Sequence, residues 1–94
     1  MLSNDEIKSK IADLDSGWES KDGKIVKSFQ FSSFMDAIEF VNEIARIAER
    51  LDHHPIISIN WETVKLSLKS FDVDAITKRD INLAEKIEKV IKSK

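Results

Sequence analysis

Residues 57–69 read Ile57-Ser58-Ile59-Asn60-Trp61-Glu62-Thr63-Val64-Lys65-Leu66-Ser67-Leu68-Lys69. Ile57, Ile59 and Trp61 alternate with Ser58 and Asn60, and Val64, Leu66 and Leu68 alternate with Lys65, Ser67 and Lys69. Successive side chains of a strand point to opposite faces, so this period of two predicts a hairpin with one buried and one wet face. On this reading Trp61 is a core residue of a strand, and the turn falls around Glu62 without a glycine. A second hairpin lies upstream. Asp22-Gly23 accepts the positive φ of a two-residue turn, flanked by strands from Trp18 to Lys21 and from Lys24 to Phe31.

Helices surround the two hairpins. Ser3 and Glu6 have capping-box spacing, with Ile7, Ile11 and Leu14 following at helical intervals. Ser33 and Asp36 open a second helix that the apolar period carries to about Leu51. Thr77 and Asp80 open a third, with Ile81, Ala84, Ile87 and Ile91 on one face. The order helix, strand, strand, helix, strand, strand, helix predicts an α+β fold: one four-stranded antiparallel sheet with three helices on its apolar face.

The second helix carries more apolar surface than one contact needs. Phe34, Ala37, Ile38, Val41, Ala45 and Ala48 line one side, and Phe40, Ile44, Ile47 and Leu51 widen it. Either the helix is buried deeply in its own domain, or part of it meets another subunit. A small domain gains much from association.

The 94 residues suit one domain, 1–94, with no linker or repeat. A hydrophobic share of 41% is enough for a core, and a net charge of −2 disfavours nucleic-acid binding. Without cysteine there are no disulfides and no thiolate chemistry. No apolar run has the length of a membrane span, and the acidic start does not resemble a signal peptide, so the expectation is a cytoplasmic protein.

The candidate chemistry lies at His53 and His54, the only histidines, between the second helix and Pro55. Histidine transfers protons near neutral pH. Adjacent residues of an extended segment point to opposite sides, so the pair is a poor chelate and no metal site is expected. One ring then serves the reacting atom and the other substrate placement. The plainer alternative is a helix C-terminal cap. Glu49 and Asp52 stand just upstream, where a carboxylate holds an imidazole in one tautomer, or simply end a solvated helix. Asp80 is explained as a capping-box acid, and Trp18 is either core or a stacking wall.

The run Glu49-Arg50-Leu51-Asp52-His53-His54-Pro55, with Trp61 beyond it and Asp80 in Arg79-Asp80-Ile81-Asn82-Leu83-Ala84, resembles the signature of the pterin-4a-carbinolamine dehydratases. Gly17-Trp18 and the Phe29, Phe31 and Phe34 pattern fit as well, so the likeness covers nearly the whole chain. The resemblance implies dehydration of a 4a-hydroxytetrahydropterin with no cofactor. His53 would be a leading acid–base group, and His54 would bind and orient the pterin and also shuttle protons. Glu49 and Asp52 would support them, Ser70 would touch the pterin, and Asp80 would support the site while capping its helix. Trp18 would stand at the substrate. It also implies a homodimer or homotetramer through the second helix and sheet edge. Phe71 stands where the family carries a further His or Trp. It cannot move a proton, but on a continuing strand it would face the open side, where its ring could stack on a pterin. That departure keeps open a second expectation, a weakly catalytic module that acts by binding another protein.

Overall fold

The computed structural model describes residues 2–93; Met1 and Lys94, the ends of the expected unit, lie outside them. The elements are α1 (Asn4–Ala12), β1 (Glu19–Lys21), β2 (Lys24–Gln30), α2 (Phe34–Leu51), β3 (Ile56–Asn60), β4 (Thr63–Leu68) and α3 (Lys78–Lys92). The four strands form one antiparallel sheet in the order β1-β2-β4-β3. Each hairpin thus contributes one inner and one edge strand.

The register explains the two faces. Ile25 pairs with Leu68, Lys27 with Leu66 and Phe29 with Val64, while Ile57 and Ile59 stand opposite Leu66 and Val64. Ile25, Phe29, Val64, Leu66 and Leu68 are buried with Ala37, Phe40 and Ile44 of α2 and Leu83, Ala84 and Ile87 of α3. Each large aliphatic side chain buried in this way contributes roughly 1.5–3 kcal/mol. On the opposite face Ser28, Lys65 and Ser58 are exposed. The helices therefore cover one face of the sheet, as the alternation predicts.

Local signals place the helix starts. The Ser3 hydroxyl accepts from the Glu6 amide at 3.2 Å, and the Glu6 carboxylate accepts from the Ser3 amide at 3.0 Å. The Ser33 hydroxyl accepts from the Asp36 amide at 3.1 Å. Several ends differ from expectation. Leu14 lies beyond α1 but still packs on the core, and Trp18 and Phe31 flank their strands rather than belonging to them.

The larger correction is Trp61. It is a turn residue at φ 54° with 73% of its surface exposed, not a core strand residue. Asn60 pairs with Thr63, which leaves Trp61 and Glu62 as the two-residue loop. A two-residue turn that suits the strand twist demands positive φ, and the alternation carried no information about where pairing stops. Asp22 and Gly23 both take positive φ, 53° and 76°, as expected for their turn.

Beside β1 a buried ion pair joins the sheet to α3. Glu88 pairs with Lys27, and its Oε1 accepts from Trp18 Nε1 at 2.7 Å. Lys27 Nζ also lies 4.8 Å from the centre of the Phe29 ring. Its stem runs against Gly17, where a Cβ would approach Lys27 Cε to 3.0 Å. Gly17 also holds φ 106°, a conformation that residues with a side chain rarely adopt, so glycine is required there.

Among the described residues no helix is long and apolar enough to cross a membrane.

Candidate active site

Asp52 ends α2 in the left-handed region at φ 50°, a conformation that Asp tolerates better than most residues. Its amide bonds back to the carbonyls of Ala48 and Glu49, and the His53 amide reaches the Ala48 carbonyl at 3.1 Å. This closure reverses the chain and sends the two following side chains apart. His53 keeps 10% of its side-chain surface open and His54 keeps 55%. The division of the pair into an inner and an outer ring is therefore built by the helix cap itself.

The inner ring meets the start of α3. His53 Nε2 lies 2.6 Å from Asp80 Oδ1, and the Asp80 side chain is fully buried. The other oxygen, Oδ2, accepts from the Thr77 amide at 2.9 Å and from the Ser70 hydroxyl at 2.9 Å. Asp80 is thus a capping-box acid and a histidine partner at once. The two explanations that the sequence offers for it are not alternatives. The outer ring is held by its own helix: His54 Nε2 lies 2.5 Å from Glu49 Oε2. That pair is exposed, so water competes with it and it orients more than it stabilises. Asp52 takes the cap role and holds neither imidazole.

Two expected pterin contacts are placed elsewhere. Ser70 is fully buried. Its hydroxyl serves Asp80 and Thr77 Oγ1, and its backbone forms a bridge with Ala75. The hydroxyl and the backbone of Ser70 are thus both engaged within the protein. Trp18 is 5% exposed, packed edge-on to Phe29 with ring centres 6.1 Å apart, and bonded to Glu88. It is a core residue, because burial of its large ring is completed by a buried acceptor for its N–H.

Phe71 is exposed, as expected, but by a different route. β4 stops at Leu68, the Ser70–Ala75 bridge closes a tight loop, and Phe71 stands in that loop rather than on a continuing strand. Lys69 Nζ lies 5.6 Å from its ring centre. The loop is pinned from both sides. Arg79 donates to Asp72 Oδ1 at 2.7 Å, and Lys69 pairs with Asp74. The hydrogen bond from Arg79 holds the Asp72 carboxyl below the usual aspartate range, and that from Lys69 does the same for Asp74.

A pH prediction follows from the direction of these shifts. A carboxylate with a depressed folded pKa contributes fully above its unfolded value, about 3.9, and loses that contribution as pH falls through the lower folded value. The loop should therefore keep its clamps on acidification to about pH 4 and release them only below. The Val73 methyl resonances report this, and a midpoint above the ordinary aspartate value would contradict it.

The local patterns assign Thr77 only as a helix cap and leave the burial of the Lys27–Glu88 pair unmarked. A signal for the pair existed. Lys27 shares strand parity with Ile25 and Phe29, and Glu88 falls four residues after Ala84 on the apolar face of α3.

Comparison with known proteins places the chain in a family. The family profile described as pterin 4 alpha carbinolamine dehydratase matches residues 1–90. A protein of Roseiflexus castenholzii, provisionally named a pterin-4-alpha-carbinolamine dehydratase, is 41% identical over 91 residues, covering 97% of each chain. One of Mycobacterium avium with the same provisional name is 39% identical over 93 residues, covering 99% of this chain and 98% of its own. The crystal structure of a Brucella melitensis protein titled a transcriptional coactivator/pterin dehydratase superposes with a TM-score of 0.88 at 33% identity, over 95% of this chain and 96% of that one. A pterin dehydratase-like protein titled a RuBisCO assembly factor in the alpha-carboxysome has a TM-score of 0.65 at 19% identity, over 79% of this chain and 88% of its own, and supports the fold alone. With a profile match that spans nearly the whole chain and relatives covered almost end to end, this chain belongs to the pterin-4a-carbinolamine dehydratase family.

Proposed function

We propose that the chain catalyses loss of water from a 4a-hydroxytetrahydropterin to give a quinonoid dihydropterin, as a cytoplasmic hydro-lyase in pterin cofactor recycling. The observation that carries this reading is the pair of consecutive imidazoles, each held by its own carboxylate: His53 by Asp80 and His54 by Glu49. In the reaction the C–O bond at position 4a breaks and the hydroxyl leaves as water after gaining a proton. A ring N–H gives up its proton, and its bonding pair becomes the new C=N bond. One proton is delivered and one removed, so two positioned histidines suffice and no metal or organic cofactor enters. Phe71 supplies no third proton carrier. Its exposed ring, on a loop clamped by Asp72 and Asp74, is suited to stack on a flat pterin.

The test is the dehydration rate of freshly generated 4a-hydroxytetrahydropterin, followed by absorbance. The protein should accelerate it well above the spontaneous rate, and His53→Ala should remove that acceleration. Removing a general acid or base typically costs about 10²–10⁴-fold. A folded His53→Ala protein as fast as the parent would refute the assignment.

The same reading includes association of the chain with itself as a homodimer or homotetramer. Along α2, Ala37, Phe40, Ile44, Ile47 and Ala48 are buried in the core, while Phe34 is 48% exposed and Ile38, Val41 and Ala45 remain wholly or partly open. Phe34, Ile38, Val41 and Ala45 are spaced four, three and four apart, the spacing of a helix–helix seam. The β3 edge adds exposed Ile56 and Ile59.

These open apolar rows, with Phe71 in place of His or Trp, also favour a second reading: a catalytically weak module that binds another protein. Thermal protection by a pterin separates the two, since a ligand of the native state raises apparent stability.

A further inference from the structure

The carboxylate that holds His53 is itself held by two hydroxyls in series, and each hydroxyl has only one proton to give. Asp80 Oδ2 accepts from the Thr77 amide and from Ser70 Oγ, both at 2.9 Å. With its proton spent on Asp80, Ser70 Oγ can only accept from Thr77 Oγ1, which lies 2.7 Å away. Thr77 Oγ1 in turn accepts from the Arg79 amide at 3.2 Å. Every proton in the chain then points towards the carboxylate. Asp80 Oδ1 is left as an acceptor for one remaining donor, and the group beside it is His53 Nε2 at 2.6 Å.

We propose that Ser70 and Thr77 are positioning residues that fix Asp80 as a pure acceptor and thereby set the proton of neutral His53 on Nε2. The lone pair then sits on Nδ1, and Nδ1 is the atom that takes the proton from the substrate. The structural part stands on the hydrogen bonds alone; the catalytic part rests on the dehydratase reading. In that reaction the pterin ring N–H proton passes to Nδ1, the N–H pair forms the C=N bond, and the 4a-oxygen leaves with a proton from another donor. His54, exposed and bonded to Glu49, stands next in sequence for that role.

The same geometry makes an unusual demand on Asp80→Asn. Ser70 and Thr77 both donate to the Oδ2 position, so the asparagine must place its carbonyl there. Its NH₂ then occupies the Oδ1 position and donates to His53 Nε2. The neutral ring is forced into the opposite tautomer, and Nδ1 becomes a donor that cannot accept a proton.

The test is two-bond ¹H–¹⁵N correlation of the imidazoles in ¹⁵N-labelled protein above the histidine titration, with His54→Asn used to tell the rings apart. The parent should show His53 protonated on Nε2. Ser70→Ala frees the Asp80 carboxylate to turn away from the ring and should shift the tautomer ratio about tenfold towards Nδ1–H, the effect of losing the oriented Nε2–H to Oδ1 hydrogen bond, and Ser70→Thr should restore it. Asp80→Asn should invert the tautomer. A parent ring protonated on Nδ1 overturns the proposal, and so does a folded Ser70→Ala protein with the parent spectrum. Should Ser70→Ala not fold, Asp80→Asn decides: an uninverted ring overturns it. A protein inactive on pterin but with Nε2–H in the parent and inversion in Asp80→Asn would refute the dehydratase reading and leave the positioning role intact.

Discussion

Glu88→Ala is expected to destabilise the fold by about 3–5 kcal/mol, a large part of the stability available to so small a domain. The carboxylate is the partner of two buried groups at once, the Lys27 ammonium and the Trp18 indole N–H. The Lys27 and Glu88 side chains are 13% and 6% exposed, so water does not replace the lost interactions. Truncation leaves a cation pointing into the aromatic cluster of Trp18 and Phe29 and an N–H with no acceptor. The pair's net value is a separate quantity, because desolvation opposes attraction. Lys27→Met combined with Glu88→Gln removes both charges, keeps an oxygen for Trp18 and fills a similar volume. That double variant should recover most of the loss. Urea unfolding of the parent, Lys27→Met, Glu88→Gln and the double variant measures the coupling, which is expected to exceed about 1 kcal/mol for residues in contact. Single and double variants of equal stability would show that the pair is solvated and that its burial does not matter.

Asp80→Ala is the second large effect, and it separates stability from chemistry when set beside Asp80→Asn. Alanine removes the acceptor for the Thr77 amide, the Ser70 hydroxyl and His53 Nε2 together. It also removes the acid half of the α3 capping box. Each orphaned buried donor costs roughly 1–3 kcal/mol, and relaxation recovers some of the sum, so about 3–5 kcal/mol is expected, together with loss of dehydration. Asparagine keeps the Ser70 and Thr77 bonds. It should therefore retain most of the stability that alanine loses, while activity still falls with the wrong tautomer. Thermal unfolding and the dehydration assay, run on both variants, read the two axes independently. Equal destabilisation by alanine and asparagine would mean that the charge of Asp80, rather than its hydrogen bonds, holds the start of α3.

Much of this molecule is written locally. The periods of 2 and 3.6 residues, the Ser3, Ser33 and Thr77 caps and the Asp22-Gly23 turn are features of a few consecutive residues. They act through backbone geometry that does not depend on the rest of the chain. The element order, the α+β class and the bounds of α2 at Phe34 and Leu51 were legible for that reason. So was the family, carried by His53, His54, Pro55 and Asp80 at their spacing.

The partners of the local elements were not legible. His53 and Asp80 are 27 residues apart, and only the packing of the α3 start against the α2 cap brings them together. The same packing turns Ser70 from an expected ligand contact into a support for Asp80. Trp18 could be core or stacking wall from its neighbours alone, and Glu88, 70 residues away, made it core by accepting its N–H. Trp61 continued an alternation that ended one residue before it, because strand pairing with Thr63 closes the ladder at Asn60. A short stretch of sequence specifies conformation, since conformation is governed by near neighbours. Which buried donor finds which acceptor depends on the whole chain, since only tertiary packing removes the water that otherwise satisfies them all.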